Sequence, residues 1–133
     1  MITATVIYKG NLRTECTHLA SENTFITDAP VDNKGKGEAF SPTDTVATAL
    51  ASCMLTIMGI KARDLEVNLE GAEAHVEKIM AAQPRRISGI KVSLRLPKVD
   101  EKMQKILEKV ALACPVHHSL HPDMKKEITF SWE

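Results

Sequence analysis

Alternating hydrophobic and polar residues predict strands near the start of the chain. Residues 3–8 are rich in β-branched and aromatic side chains, and residues 12–18 alternate after a turn predicted at 9–11. A third short strand is predicted at 24–27, followed by a polar loop over 28–38. Because this loop is about ten residues long, its length suggests a functional role.

The middle of the chain has a different pattern, a run of 16 residues at 45–60 without a charge. Ser41 as N-cap, Pro42 at the first helical position and Asp44 at the third predict a helix that starts with a capping box. The uncharged run is shorter than the roughly 20 residues that span a bilayer. A helix that is apolar on almost every side is instead typical of a protein core.

The second half of the chain predicts strands and two helices. Residues 65–70 alternate, and a bulge at Gly71 would let the alternation continue at 72–76. The remaining elements are a turn at 83–86, an antiparallel strand at 90–96, an amphipathic helix at 100–113, a short helix from Pro115 and a strand at 128–132. This order predicts an α+β fold with one domain over residues 1–133. We expect a second copy of the chain to help cover the central helix.

Composition and charge narrow the classes of partner. The 133 residues hold 17 basic and 17 acidic side chains, so no net positive charge draws the chain to nucleic acid or to a membrane. The start of the chain lacks the pattern of a secretory leader, and three widely spaced cysteines fit neither a disulfide framework nor a zinc site. We therefore expect a cytoplasmic protein without a metal, in which cysteines have a purpose other than crosslinking.

Two cysteines are candidates for chemistry. Cys53 lies within the uncharged helix, where a cysteine is most often a small buried hydrophobe. Cys114 is predicted to cap the helix that starts at Pro115, where N–H groups and the helix dipole favour the thiolate. Local electrostatics therefore favour Cys114 as the more acidic thiol. His117 and His118 follow one turn later and either assist it or are plain surface residues.

The two cysteine segments together resemble the OsmC/Ohr family of osmotically inducible and organic hydroperoxide resistance proteins. The matching segments are FSPTDTVATALASCM at 40–54 and, 61 residues after Cys53, the Cys114-Pro115-Val116-His117 run. The resemblance implies antiparallel sheets wrapped around a long buried central helix, in an intertwined homodimer with its sites at the interface. It also implies a peroxiredoxin-like thiol peroxidase, in which Cys53 attacks an organic hydroperoxide and Cys114 resolves the sulfenic acid to a disulfide. No bound cofactor is implied, only an external dithiol reductant such as a lipoylated protein.

The resemblance further implies a cation that supports the Cys53 thiolate, because burial alone would leave a thiol inert. An Arg from the N-terminal region has this role in the family, and Arg13 is the best match here. A solvated strand residue is an equally weighted interpretation of Arg13. Arg85 and Arg86 are the fallback candidates.

The family also holds its Arg with a carboxylate, commonly a Glu directly after the helix Pro. That position is Thr43 here, and the nearest acid is Asp44. Asp44 is a candidate site residue, although capping explains it better. It lies roughly 13 Å along the helix from Cys53, so it would act through a long Arg or across a dimer interface.

The side chains around Cys53 on the helix are apolar. Leu50, Met54 and Ile57 are expected in the core first, and they would also suit a pocket for an alkyl or aryl hydroperoxide. Cys16 is expected to be a packing residue. Two other functions stay open, namely an OsmC-fold protein that binds an apolar ligand and a thiol redox sensor without peroxidase turnover.

Overall fold

The computed structural model describes residues 1–133, which divide into two compact units, Met1–Val46 and Ala47–Glu133. Two sheets and three α-helices confirm the α+β class. In chain order the elements are β1 (Ala4–Gly10), β2 (Arg13–His18), β3 (Thr24–Asp28), a 3-10 turn (Val31–Asn33), α1 (Pro42–Asp64), β4 (Glu73–Ala81), β5 (Arg86–Leu96), α2 (Glu101–Leu112), α3 (Pro115–Ser119) and β6 (Lys125–Trp132).

The first unit contains the antiparallel sheet β1-β2-β3. The turn between β1 and β2 is formed by Asn11 and Leu12, whose φ angles are 54° and 63°. Two successive left-handed residues are the geometry of a tight two-residue hairpin turn. The predicted turn at 9–11 is therefore misplaced, and Leu12 belongs to the turn rather than to the strand.

Helix α1 begins with the predicted capping box. The backbone N–H of Asp44 donates to Ser41 Oγ, and the Ser41 N–H donates to Asp44 Oδ2, both at 3.0 Å. The helix continues to Asp64, so its 23 residues are long and apolar enough to cross a membrane by length and composition. The core helix of a soluble protein passes the same test, and Leu50, Met54 and Met58 lie in the core here.

The second unit contains the sheet β4-β5-β6. Strands β4 and β5 pair antiparallel, as predicted, and the side chains that alternate inward on β5 are buried: Ile90, Val92, Leu94 and Leu96. Strand β6 pairs parallel to β5. Because parallel neighbours need a long connection, α2 and α3 lie between them in the chain.

The predicted strand at 65–70 is wrong. Glu66 and Gly71 have φ angles of 57° and 91°, and the chain turns there instead of pairing in a sheet. Leu65, Val67 and Leu69 still pack against the core, so a turning segment produced the alternation of a strand. The bulge predicted at Gly71 is also wrong, because Gly71 lies in a turn before β4, and the irregularity in the β4–β5 pairing is between Ile79 and Met80.

The hydrophobic core joins α1, β5 and α2. Its buried residues on α1 lie on one side of the helix: Ala47, Leu50, Ala51, Met54, Met58 and Ala62. The side chains of Val46 and Ile60 are 40% and 57% exposed. Within one chain the central helix is therefore buried on one side only, and cover of its other side by a second copy stays a prediction.

Candidate active site

Two free thiols of the second unit lie on different helices. Cys53 is in the middle of α1, half-buried against the core, and Cys114 is fully buried at the N-cap of α3. The N-cap position was predicted correctly, because the His117 backbone N–H donates to Cys114 Sγ at 3.4 Å. Pro115 at the first helical position fixes the start of this helix.

The pKa of Cys114 is raised, first because burial penalises the thiolate. The N–H groups of His117 and Val116 act in the opposite direction, as helix capping predicts, but burial outweighs them. A hydrogen bond to Cys53 and the negative charge of a Cys53 thiolate raise the pKa further. The expectation that the helix cap favours the Cys114 thiolate is therefore wrong for its net pKa, which is raised.

Cys53 is close enough to Cys114 to affect its pKa, and their interaction favours the protonated form of Cys114. Two neighbouring sulfurs can form a disulfide once one of them is oxidised to a sulfenic acid.

His117 follows Cys114 by three residues, and its ring is neutral near pH 7. Burial lowers its pKa, and the charges of Lys126 and His118 lower it further. The rings of His117 and His118 meet edge to face with centroids 6.1 Å apart. The backbone of His117 contacts Cys114, so its contribution to the site is a main-chain N–H.

We expect the two thiols to differ strongly in accessibility to alkylation. With iodoacetamide at pH 7.5, Cys114 should react at least about tenfold more slowly than Cys53. Alkylation requires an exposed thiolate, whereas Cys114 is buried and its pKa is raised. Mass spectrometry of the tryptic peptides over time measures both rates in one sample. Equal rates for the two cysteines would contradict this description of the pair.

A second cluster of charged groups lies in the first unit. Arg13 begins β2, and its Nε and Nη2 donate to Oδ1 and Oδ2 of Asp28 at 2.7 and 2.8 Å. Nη2 also donates to Glu38 Oε1 at 3.1 Å. Asp28 is 1% exposed, whereas the side chain of Glu38 is 63% exposed. Arg13 is therefore the centre of an ion-pair cluster rather than a solvated strand residue.

The charges in this cluster stabilise each other. The hydrogen bonds from Arg13 lower the pKa of Asp28 more than burial raises it, and the Glu38 N–H donates to Asp28 Oδ2 at 3.1 Å and lowers it further. The pKa of Arg13 is raised above its ordinary value by the same bond to Asp28. Both groups are charged at every pH at which the protein is expected to work.

Because the pKa of Asp28 is lowered in the folded protein, the free energy of unfolding should decrease at acidic pH. Because the unfolded chain takes up this proton at a higher pH than the folded chain, the ion pair contributes fully above about pH 5 and loses its contribution progressively below about pH 4, as the pH falls toward the lowered pKa of folded Asp28. Urea unfolding between pH 6 and pH 3 measures the loss. In Asp28→Asn the free energy of unfolding should depend less on pH over this range. The same slope in the variant and in wild type would contradict the role of Asp28.

The loop that carries Glu38 has a tightly packed backbone. Gly35 donates its N–H to Pro30 O at 2.9 Å, and Gly37 donates to Ala29 O at 3.2 Å. A Cβ added at Gly35 would lie 1.7 Å from Ala29 O, so no other residue fits without movement of the backbone. The loop between β3 and α1 thus has one compact conformation, which places Glu38 beside Asp28.

Replacing Gly35 with Ala should therefore destabilise the protein by about 2 kcal/mol or more, because the clash is with backbone. Gly59→Ala is the matched control, since its Cβ would meet nothing within 4 Å and α1 should gain up to about 1 kcal/mol in helix propensity. Thermal unfolding of the two variants measures the difference. A Gly35→Ala variant as stable as Gly59→Ala would show that the loop adapts.

The other predicted site residues lie in structural positions. Asp44 is engaged in the capping box with Ser41, and Thr43 Oγ1 lies 3.2 Å from Ser41 Oγ. Arg86 Nη1 donates to Ala82 O and Pro84 O, within the turn between β4 and β5. These contacts assign helix capping to Asp44 and turn stabilisation to Arg86.

The predicted pocket residues divide between core and surface. Leu50 and Met54 are fully buried in the core, so in one chain neither presents a side chain to an open pocket. Ile57 is half-buried and keeps exposed surface on α1. Cys16 is half-buried on β2 opposite Val6 and Phe25 in the sheet, where it packs as an ordinary strand residue. A substrate pocket beside Cys53 stays a prediction.

Residues 35–129 of this chain match the family model described as OsmC-like protein. The chain belongs to the OsmC/Ohr family. The matched range contains both cysteines of the pair, Cys53 and Cys114, and the family resemblance inferred from the sequence is confirmed.

Solved OsmC/Ohr structures agree with this assignment. A crystal structure from Psychrobacter arcticus, provisionally described as an osmotic stress induced and detoxification response protein, is 55% identical over 98% of this chain and 96% of its own, with a TM-score of 0.95. Organic hydroperoxide resistance proteins from Legionella pneumophila (16% identity, 98% of both chains, TM-score 0.77) and Elizabethkingia anophelis (14%, 100% of this chain and 98% of that one, TM-score 0.71) share the fold. No curated protein sequence matches the chain.

Sequence reasoning did not identify Asp28 and Glu38 as the partners of Arg13. The only hint in the sequence was the length of the predicted loop at 28–38, which begins at Asp28 and ends at Glu38. Burial of Asp28 and its position opposite Arg13 depend on the strand register, which only the structure gives.

Proposed function

We propose that this OsmC/Ohr protein is a cytoplasmic thiol peroxidase that reduces organic hydroperoxides, with Cys53 as the attacking thiol and Cys114 as the resolving thiol. The observation that supports this most is the pair of neighbouring free thiols, in which Cys53 is half-buried on α1 and Cys114 is fully buried at the N-cap of α3. A partly exposed sulfur is the one that a peroxide can reach, and a buried neighbour is suited to the second step.

The proposed reaction has two steps on the protein. The Cys53 thiolate attacks the terminal oxygen of the hydroperoxide, the O–O bond breaks, and the alkoxide leaves as an alcohol after it takes up a proton, which gives a Cys53 sulfenic acid. The Cys114 sulfur then attacks Cys53, the S–S bond forms, and the sulfenic oxygen leaves as water. An external dithiol returns both cysteines to thiols and leaves as its own disulfide, so no bound cofactor is needed.

Arg13 is the proposed cation that supports the Cys53 thiolate. Its guanidinium carries a permanent charge, and carboxylates hold it in one orientation. The assignment comes from the family resemblance, and the ordered side chain of Arg13 supports it.

We also propose that the protein is a homodimer. Each chain leaves apolar surface exposed in both units: Val6, Ile7, Tyr8, Phe25 and Ile26 on the first sheet, and Val46 and Ile60 on α1. Exposed apolar surface of this extent on a soluble chain marks an interaction surface. A second copy of the chain is the occupant implied by the family, and we propose that neither nucleic acid nor a membrane is a partner.

The proposed activity is tested with the reduced wild-type protein, cumene hydroperoxide and dihydrolipoamide or dithiothreitol, by following consumption of peroxide under anaerobic conditions. We expect many turnovers per chain, and faster turnover with cumene hydroperoxide than with hydrogen peroxide, because apolar side chains surround Cys53 on α1. One rapid oxidation without turnover would indicate a redox sensor. Absence of any oxidation, with an apolar molecule retained through purification, would indicate a binding protein.

A further inference from the structure

We propose that the external dithiol reduces the protein by attacking the sulfur of Cys53, so that Cys114 is the leaving sulfur and the peroxide and the reductant enter from the same side of α1. This inference rests on the proposed function, because it requires a disulfide between Cys53 and Cys114. A disulfide presents two sulfurs to a reductant, and attack on either one would break the bond. The structure distinguishes them by access.

The two sulfurs differ in their exposure to a reagent in solution. Cys114 is fully buried within one chain, and a second copy of the chain can only reduce the exposure of a residue further. It belongs to the hydrophobic core of the second unit, together with Leu107 and Ala111 of α2. Cys53 keeps part of its surface exposed. Because thiol–disulfide exchange depends on access to the attacked sulfur, this difference favours attack on Cys53.

The main chain holds Cys114 in its buried position from both directions. Its N–H donates to Ala111 O at 3.3 Å, and its C=O accepts from the His118 N–H at 3.2 Å. Pro115 follows directly, and its ring restricts the backbone at the start of α3. The burial of Cys114 therefore follows from the backbone path between α2 and α3, so a change of side-chain rotamer alone does not expose this residue.

Cys53 lies at the boundary between the core side and the exposed side of α1. Leu50 and Met54 next to it on the helix are fully buried, whereas Ala49 and Ser52 are exposed. Residues three and four apart are neighbours on a helix surface, so Leu50 and Ala49 flank Cys53 on its two sides. The sulfur of Cys53 therefore has one side toward the core and one side toward solvent.

The direction of displacement at sulfur connects the two half-reactions. The attacking and leaving atoms lie on opposite sides of the sulfur that is attacked. When Cys114 attacks the Cys53 sulfenic acid from the core, the oxygen leaves as water on the solvent side. The reductant then approaches Cys53 from that solvent side, with Cys114 again on the opposite side as the leaving sulfur. Attack on Cys114 would require an approach opposite Cys53, where Cys114 has no exposed surface.

Contacts of Cys114 also favour its departure. The His117 N–H donates to Cys114 Sγ at 3.4 Å, and the N–H groups of His117 and Val116 lower the pKa of Cys114. The two interactions with Cys53 that raise this pKa involve a free Cys53, which is absent while Cys53 is bonded to the reductant. A thiol of lower pKa leaves faster, so Cys114 leaves more readily from the mixed disulfide than its pKa in the reduced protein indicates.

The proposed reduction consists of two exchanges. One thiolate of the dithiol bonds to the Cys53 sulfur, the bond between Cys53 and Cys114 breaks, and the Cys114 sulfur takes up a proton from water. The second thiol of the reductant loses its proton and attacks the reductant sulfur that is bonded to Cys53. The disulfide of the reductant closes and Cys53 leaves as a thiolate, so two electrons have passed from the dithiol to the protein.

Trapping of the first mixed disulfide tests this order of attack. Cys16→Ser protein, which keeps only the proposed pair, is oxidised with diamide, freed of the reagent and mixed with excess 2-mercaptoethanol for seconds. Acid stops the exchange, N-ethylmaleimide labels free thiols under denaturing conditions, and peptides are analysed by mass spectrometry. At the earliest times we expect mercaptoethanol on Cys53 and maleimide on Cys114, in at least about tenfold excess over the reverse pattern. Equal amounts, or an excess of the reverse pattern, would overturn the proposal.

A matched pair of alanine variants tests the side of entry. Ala49→Leu adds a side chain one helical turn before Cys53, and Ala113→Leu adds the same group directly before Cys114, at positions that are both exposed. Ala49→Leu should slow both the oxidation of Cys53 by cumene hydroperoxide and the reduction of the disulfide by dithiothreitol by at least about threefold, and Ala113→Leu should change each rate by less than about twofold. Slower reduction in Ala113→Leu alone would overturn the proposal. Light scattering and circular dichroism show whether both variants keep the wild-type assembly and fold.

The diamide step separates this proposal from the proposed function. If diamide forms the disulfide but the wild-type protein does not turn over peroxide, the peroxidase is contradicted, whereas the trapped adduct still decides which sulfur is attacked. If diamide forms no disulfide between Cys53 and Cys114, both the redox pair and the proposed order of attack are overturned.

Discussion

Replacement of Cys53 by Ser is expected to abolish hydroperoxide turnover, by at least about a thousandfold, while the fold is kept. A serine hydroxyl of similar size fits the half-buried position on α1, but it does not ionise at neutral pH and does not attack a peroxide oxygen. Turnover of cumene hydroperoxide with an external dithiol measures the loss. Circular dichroism and thermal unfolding show whether the variant keeps the wild-type structure.

The two other cysteines provide matched controls. Cys114→Ser should release one equivalent of alcohol per chain and then stop, because Cys53 reaches the sulfenic acid and no resolving thiol is present. Cys16→Ser should turn over like wild type, since Cys16 packs on β2 in the first unit. Full turnover by Cys53→Ser would contradict the role of Cys53 as the attacking thiol. Absence of the first equivalent of alcohol in Cys114→Ser would contradict the role of Cys114 as the resolving thiol only.

Conversion of Ile60 to Glu is expected to break a dimer into single chains. The wild-type protein should have a mass of twice 14.6 kDa by light scattering. The apolar side chains exposed on α1 and on the first sheet would be removed from water in a dimer. Ile60 is 57% exposed and lies in the uncharged run of α1, so a carboxylate there would be buried without a partner in any interface formed by this side of the helix.

The control for this prediction is Lys105→Glu, which changes a charge on the exposed surface of α2. It should leave the mass unchanged. A wild-type protein that is monomeric at micromolar concentration would contradict the dimer, and a dimeric Ile60→Glu variant would show that α1 does not form the interface. Peroxide turnover measured on the same samples shows whether dissociation also removes activity, which the family resemblance implies.

The elements predicted best from the sequence are those whose local signals and burial agree. Helix α2 has an amphipathic pattern and an Asp100 N-cap that accepts from the Met103 N–H at 2.9 Å, and β5 has clean alternation with buried partners. The start of α1 was predicted from Ser41 and Asp44 because a capping box is encoded within four residues. Each of these features depends on contacts close in sequence.

The features that sequence reasoning missed depend on contacts distant in sequence. Alternation at 65–70 indicated a strand, but the left-handed Glu66 turns the chain there. The pKa of Cys114 was predicted in the wrong direction because its helix position is local, whereas the burial that outweighs it comes from the whole core. Asp28 meets Arg13 only because the β2–β3 register places them opposite each other.

Peptide mapping of the protein after one equivalent of cumene hydroperoxide tests the proposed redox pair most directly. Reduced wild-type protein is oxidised anaerobically, alkylated under denaturing conditions and digested without a reductant. We expect one disulfide-linked peptide pair that joins Cys53 to Cys114, with the loss of two hydrogens, and Cys16 recovered in alkylated form. A sulfinic acid at Cys53 with Cys114 alkylated, or a disulfide that contains Cys16, would contradict the account.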